Sequence, residues 1–189
     1  MKNLVKLGLV SIVAAGSLFA GTYNVDASHS NVGFKVKHLM ISNVTGKFDK
    51  FSGSFEYDEK TKTLKSLTGN VDVASINTEN KKRDGHLKSK DFFDAANFPK
   101  LTFKLKKVED DKAYGVLTMK GVSKDVVFDF ENNGTVKDPW GNQRVGLELS
   151  GKINRKDFGL NWNKALEAGG VMVGENVKLN IELEGIQAK

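Results

Sequence analysis

Three histidines, His29, His38 and His86, and the pair Arg83-Asp84 are the residues of this 189-residue chain best suited to chemistry. Imidazoles grouped with one another or with carboxylates could hold a metal ion. A histidine next to Ser30 and an acid could run a hydrolase relay. The local spacing argues against both. No HExxH pattern occurs, and Asp84-Gly85-His86 is too short to define a site. His29 and Ser30 are adjacent, and neighbours on a strand point to opposite faces. There is no GxSxG. The expectation is therefore a protein with no catalytic residue, no metal and no cofactor. Arg83, Asp84 and His86 suit another task, meeting the polar end of a ligand that is otherwise apolar. A buried polar group left unpaired is costly, and a guanidinium matches phosphate or carboxylate. A structural reading stands beside this one. Arg83 and Asp84 would then form an ion pair fixing a helix, with Asp91 or Asp94 as further partners, and both readings can hold together.

These residues lie in a segment unlike the rest, KKRDGHLKSKDFFDAANFP (81–99). Its first half is polar, and Phe92, Phe93 and Phe98 then crowd before Pro99. Residues 79–95 contain no β-branched side chain, and Thr78 or Asn77 can cap a helix. A short helical insertion near 78–95 is expected, weakened in the middle by Gly85. Leu87, Phe92, Phe93 and Phe98 would face an apolar interior, as a plug of plain core or as a gate, while the lysines face water.

Elsewhere apolar and polar residues alternate with period two, as half-buried strands require. Val32, Phe34, Val36 and His38 share one face; Leu101, Phe103 and Leu105 share another. Val126, Phe128 and Phe130 follow the same rule, as do Val145, Leu147, Leu149 and Ile153. So do Val177, Leu179, Ile181 and Leu183. Segments 22–27, 46–57, 64–75 (with Val71) and 112–119 are less regular. Turn signals stand at Asn132-Asn133-Gly134 and Pro139-Trp140-Gly141. About eight strands result, closing as a barrel or stacking as a sandwich. One helical insertion between strands favours a barrel with a closed end. Its inward set would line an apolar lumen able to take an apolar guest, and Trp162 would pack on the barrel end or on that guest. Filled interior and hollow lumen remain equally compatible with the pattern.

Composition narrows the class. The chain lacks cysteine, which excludes disulfides, CxxC sites, thiol nucleophiles and an N-terminal lipid-modified cysteine. Its formal net charge is +6, spread along the strands and without a dense basic patch, so nucleic acid is not an expected partner. Residues 1–20 carry Lys2 and Lys6 before an apolar run from Leu7 to Ala20. That run is too short to cross a bilayer and suits a signal peptide. The expected organisation is a leader over 1–20, cleaved near Ala20, and one exported barrel domain over 21–189.

Four blocks carry a family resemblance: DASHSNVGFKVKHLMISNVTGKFDKFSG (26–53), RDGHLKSKDFFDAANFPKLTF (83–103), GVLTMKGVSKDVVFDF (115–130) and DPWGNQRVGLELSGKINRKDFGLNWN (138–163). In order and spacing they resemble the YceI-like family of exported polyisoprenoid-binding proteins. The resemblance implies an all-β fold, an extended eight-stranded antiparallel lipocalin-like barrel with a long apolar tunnel. It also implies that 21–189 is a lipid-binding domain in the periplasm, whose ligand is a long-chain isoprenoid lipid such as a quinone precursor or polyprenyl chain. Fatty acid or fatty amide binding is the alternative, with a metal-dependent enzyme behind it. Transient membrane contact and a homodimer are left open as partners.

Overall fold

The computed structural model describes residues 20–167 and 169–189. The expected leader lies outside the described residues except for Ala20. Among the described residues, eleven strands form one antiparallel sheet. They are β1 (Gly21–Val25), β2 (Asn31–His38), β3 (Ser42–Phe48), β4 (Phe51–Asp58), β5 (Thr63–Asp72) and β6 (Ile76–Asn77). After helix α1 (Lys81–Lys88) come β7 (Lys100–Glu109), β8 (Lys112–Met119), β9 (Val122–Lys137), β10 (Gln143–Asn154) and β11 (Val173–Gln187).

Eleven segments make eight staves. Strands β1 and β2 run in succession beside β11. Strands β4 and β3 pair with them in turn, Asn24 opposing Ser54 and Gly33 opposing Lys47. Strands β5 and β6 then pair with β4 and β3, Phe51 opposing Val71 and Phe48 opposing Ile76. Each pair is one stave interrupted at its middle. The sheet closes on itself where Tyr23 opposes Gln187 and Val25 opposes Gly185. The fold is the expected closed eight-stranded antiparallel barrel with one short helix.

Local details depart from the sequence reading. The helix is capped by Asn80, whose side chain accepts from the Arg83 amide at 3.0 Å, rather than by Thr78 or Asn77. Helix α1 passes through Gly85 unbroken and stops at Ser89, so Phe92 and Phe93 lie in the turns that follow it. Segment 46–57 is two strands, parted at Asp49-Lys50. Asn132-Asn133-Gly134 is a bulge inside β9, not a turn: Gly146 opposes Gly134 and Leu147 opposes Asn132, leaving Asn133 without a partner. A glycine at φ +92° lets the strand bend there and continue.

The barrel is solid at one end. Tyr23 stacks on Phe55 at 5.3 Å between ring centres and meets Tyr57 edge-on at 6.3 Å; all three are buried. The buried hydroxyl of Tyr23 donates to Glu59 at 2.6 Å, and Asn132 donates to that of Tyr57 at 2.7 Å. Toward α1 the interior opens, and there phenylalanine rings lie over glycines of the adjoining strand. A Cβ on Gly151 would come within 2.6 Å of the Phe128 ring, and one on Gly115 within 2.5 Å of the Phe103 ring. Gly46, paired with Phe34 in the ladder, sits under that ring in the same way. Without the glycines, the rings would have to swing into the lumen.

Gly151→Ala should therefore lower stability by about 1–3 kcal/mol, the usual cost of overpacking. Gly69→Ala, where a Cβ meets nothing within 4 Å, should stay within about 0.5 kcal/mol of the parent. Urea unfolding of the two variants makes the comparison, and equal losses would mean that the rings are not seated on the glycines.

Candidate binding tunnel and its mouth

Three adjacent cavities run from the packed end to α1. The deepest, about 80 Å³, is bounded by Val25, Val71, Phe103, Phe128 and Leu183. The next, about 120 Å³, shares Val32, Leu101 and Ile181 with it and adds Phe48, Phe93 and Leu179. The outermost, about 390 Å³, shares Phe34, Val36, Leu87, Phe92 and Val173 with the second. Strand alternation explains the lining, because residues i, i+2 and i+4 of a strand face one side. Because neighbours share lining residues, the three cavities follow one another along the barrel.

The outermost cavity is the polar one. Lys37, His38, Lys82, Arg83 and His86 border it, and no carboxylate does. His38 closes β2 there, as the strand phase requires. Helix α1 supplies the rest, held by a compact set of hydrogen bonds around buried Thr78. Arg83 Nε donates to Thr78 Oγ1 at 2.7 Å, and Nη2 donates to the Thr78 carbonyl at 2.8 Å. Asp84 accepts from the Thr78 amide at 2.9 Å and from its hydroxyl at 2.5 Å. Arg83 and Asp84 are thus joined through Thr78 instead of forming the direct ion pair expected of them. Asp84 is turned to this structural role, while Arg83 both pins Thr78 and borders the cavity.

Of the three cavities, His86 borders the outermost alone. Its Nε2 meets Asp91 at 2.9 Å, and its ring packs edge-on against Phe92 and Trp162 at 5.0 and 4.8 Å between centres. Phe92 borders both outer cavities. Of the further partners expected for Arg83 and Asp84, Asp91 meets His86 and Asp94 accepts from Asn97.

Most sequence-derived site residues meet along this route, but three do not: Asp84, turned to Thr78, and Leu147 and His29. Leu147 is buried in the wall and borders none of the three cavities. His29 stands exposed in the turn between β1 and β2, at the opposite end of β2 from His38. Its Nδ1 faces both Asp26 Oδ2 at 2.9 Å and Ser28 Oγ at 3.1 Å. A Ser-His-acid relay needs one ring nitrogen for each partner, so this arrangement is a turn and not a triad. Asp26, His29 and Glu184 do converge closely enough for a metal. Arg144 already fills that role, with Nη1 donating to Asp26 at 3.0 Å and to Glu184.

One tunnel residue had no signal in the strand pattern. Arg155, 3% exposed, borders the middle cavity. Its guanidinium donates to the carbonyls of Gly174 at 2.9 Å, Val173 at 3.4 Å and Leu160. Burial pushes its pKa down, and nearby Glu175 partly offsets this. The three carbonyls satisfy the cation, so it ties the loop before β11 to the barrel without needing a ligand.

A family model described as a YceI-like domain matches residues 23–185, nearly the whole barrel. The chain belongs to the YceI-like family. A curated relative, UPF0312 protein SA2479 of Staphylococcus aureus (strain N315), is 44% identical over 163 residues, covering 86% of this chain and 95% of its own. The YCEI protein of Campylobacter jejuni, which crystallises with large solvent channels, is 38% identical with a TM-score of 0.67. That match covers 87% of this chain and 96% of the other. A polyisoprenoid binding domain from Saccharophagus degradans, implicated in plant cell wall breakdown, shares the fold at 18% identity and a TM-score of 0.68, over 90% of this chain and 99% of that one.

In this YceI-like barrel the end away from α1 is locked on its outer wall by Arg144. Its Nε donates to Asp138 Oδ2 at 2.7 Å, beside the bonds to Asp26 and Glu184. Burial works against charge on Asp138, but hydrogen bonds from Asn142, Arg144 and Trp140 outweigh it and hold the carboxyl well below the usual range. Ser28 and His29, with Arg144, do the same for Asp26. A carboxylate depressed by folding stabilises the native state above its unfolded pKa and loses that effect as pH falls toward its folded one. Arg144→Met should therefore melt at lower temperature than the parent at pH 7. The gap should begin to close below about pH 4, where free carboxylates start to protonate. A gap independent of pH would assign the loss to packing.

Proposed function

We propose that this protein is exported and holds a long-chain isoprenoid lipid, carrying or storing it, with the tail in the tunnel and the polar end at the mouth beside His38, Arg83 and His86. The observation that carries this reading is the run of three apolar cavities ending at one cationic mouth. Each buried CH2 contributes about 0.8 kcal/mol, and an apolar cavity left empty costs about 24 cal/mol per Å³. Occupancy by a long tail is thus favoured without any polar contact along the route. Selection falls to tunnel length and to the mouth. The name of the Saccharophagus domain supports an isoprenoid tail at the level of the fold. A fatty acid or fatty amide would fit the same apolar route. A mouth with three cationic side chains and no carboxylate favours an acidic or phosphorylated end over an amide.

Protein purified without detergent should release a long-chain lipid on denaturing solvent extraction, seen by mass spectrometry. Val71→Trp, which fills the deepest cavity, should abolish uptake of an added polyprenol while leaving a cooperative unfolding transition. Folded parent protein that yields no lipid and takes up no polyprenol would overturn the proposal.

The mouth is tested separately. Arg83→Gln should weaken binding of a polyprenyl phosphate by roughly tenfold or more, as loss of a charge-assisted bond implies, and that of the neutral polyprenol much less. Equal weakening of both would leave Arg83 only its bond to Thr78.

A further inference from the structure

The hairpin between β2 and β3 turns through Leu39, Met40 and Ile41. Hairpin turns normally use asparagine, aspartate or glycine, which accept positive φ. Here Leu39 and Met40 adopt φ +50° and +64°, although such backbone is unfavourable for bulky residues. The turn is anchored, not loose. The Leu39 amide donates to the Met172 carbonyl at 2.8 Å, and Gly170 lies directly beneath Met40. The result is a tip with Ile41 83% and Met40 52% exposed. Neither side chain contributes to the core. The tip directly follows His38, and Met172 below it borders the outermost cavity, so it forms one lip of the mouth. The charge lining the cavity is one-sided: Lys37 on β2 and Lys82 and Arg83 on α1 border it, with no carboxylate among the lining residues, Asp91 standing outside on His86.

We propose that this tip docks the protein on a bilayer containing anionic lipid. Met40 and Ile41 enter the headgroup boundary, and the mouth cations face the lipid charges. An exposed apolar tip beside a basic surface is the pairing that interfacial binding requires. Its position at the mouth would let a tail slide from bilayer to tunnel without crossing water, a role that rests on the carrier reading above. The other exposed apolar tip, Trp140 at 80%, makes a useful contrast. It caps the β9–β10 hairpin beside Asp138, at the end locked by Arg144 and its three carboxylates, away from the tunnel mouth.

The chain has no cysteine, so a single one can carry an environment-sensitive dye. Ile41→Cys and Trp140→Cys, each labelled with nitrobenzoxadiazole and sharing one N-terminus, are mixed with vesicles of equal phosphatidylcholine and phosphatidylglycerol, or of phosphatidylcholine alone. The label at 41 should brighten and shift to the blue on the mixed vesicles, weakly on the neutral ones, and less as salt is raised. The label at 140 should not respond. Met40→Ser with Ile41→Ser should lower vesicle partitioning by roughly tenfold or more, since each side chain contributes its burial free energy, while uptake of a detergent-dispersed polyprenol is retained. Val71→Trp should still dock, which separates failure of docking from failure of the carrier reading. Equal response at 41 and 140, unchanged partitioning of the double variant, or concentration-dependent self-association through the tip without vesicles would each overturn the proposal.

Discussion

A hollow apolar interior must be walled by large side chains without being filled by them, and the packing of phenylalanine on glycine meets that demand. Phe34, Phe103 and Phe128 all border the cavities, and each lies against a glycine of the adjoining strand. A ring laid along the wall still contributes its apolar surface, yet it leaves the axis of the barrel open. At the far end Phe55 also lies on a glycine, Gly185, but there Tyr23 stacks on it and Tyr57 closes edge-on, so the three rings make a solid plug. The tunnel is therefore closed at one end and open at the other.

Three arginines secure what the apolar wall cannot. Arg144 gathers carboxylates from β1's turn, the β9–β10 hairpin and β11 on the outside of the closed end. Arg155 ties the long connection before β11 to the interior through backbone carbonyls alone. Arg83 fixes α1 to Thr78 and so sets one side of the mouth. In each case the fork of the guanidinium bridges elements that strand pairing leaves unconnected. At the mouth Arg83 borders the outermost cavity together with Lys37 and Lys82, whereas the guanidinium of Arg155 beside the middle cavity is taken up by main-chain carbonyls. That asymmetry distinguishes the entrance from the plugged end.

The inward faces were legible because a closed barrel preserves the period of two along every strand. Val145, Leu147, Leu149 and Ile153 are all buried, as their alternation demands. Strand breaks were less legible. Asp49-Lys50 interrupts a stave with polar residues that read equally well as the outer face of one long strand, and Asn132-Asn133-Gly134 has turn chemistry that a bulge uses as well. The cap of α1 is Asn80, while Thr78 is bound to Arg83 and Asp84, five and six residues further on. His29 and Leu147 were placed with the ligand residues by type and phase; position along the barrel, which neither criterion carries, puts them elsewhere. Arg155 gave no sign because its partners are main-chain carbonyls, which no residue type marks.

Taken alone, the sequence determined that the chain forms antiparallel strands with one apolar face, that a single helical insertion interrupts them, and that the chain belongs among YceI-like barrels. Those features follow from local periodicity and from motifs read along the chain. Only the tertiary structure decided how much of the interior is hollow, which end is open, and which charged groups border the opening. The reason is geometric. Whether inward side chains fill a barrel depends on whether rings from different strands meet one another across it, as Tyr23, Phe55 and Tyr57 do, and that meeting is fixed by register between strands rather than by order within them.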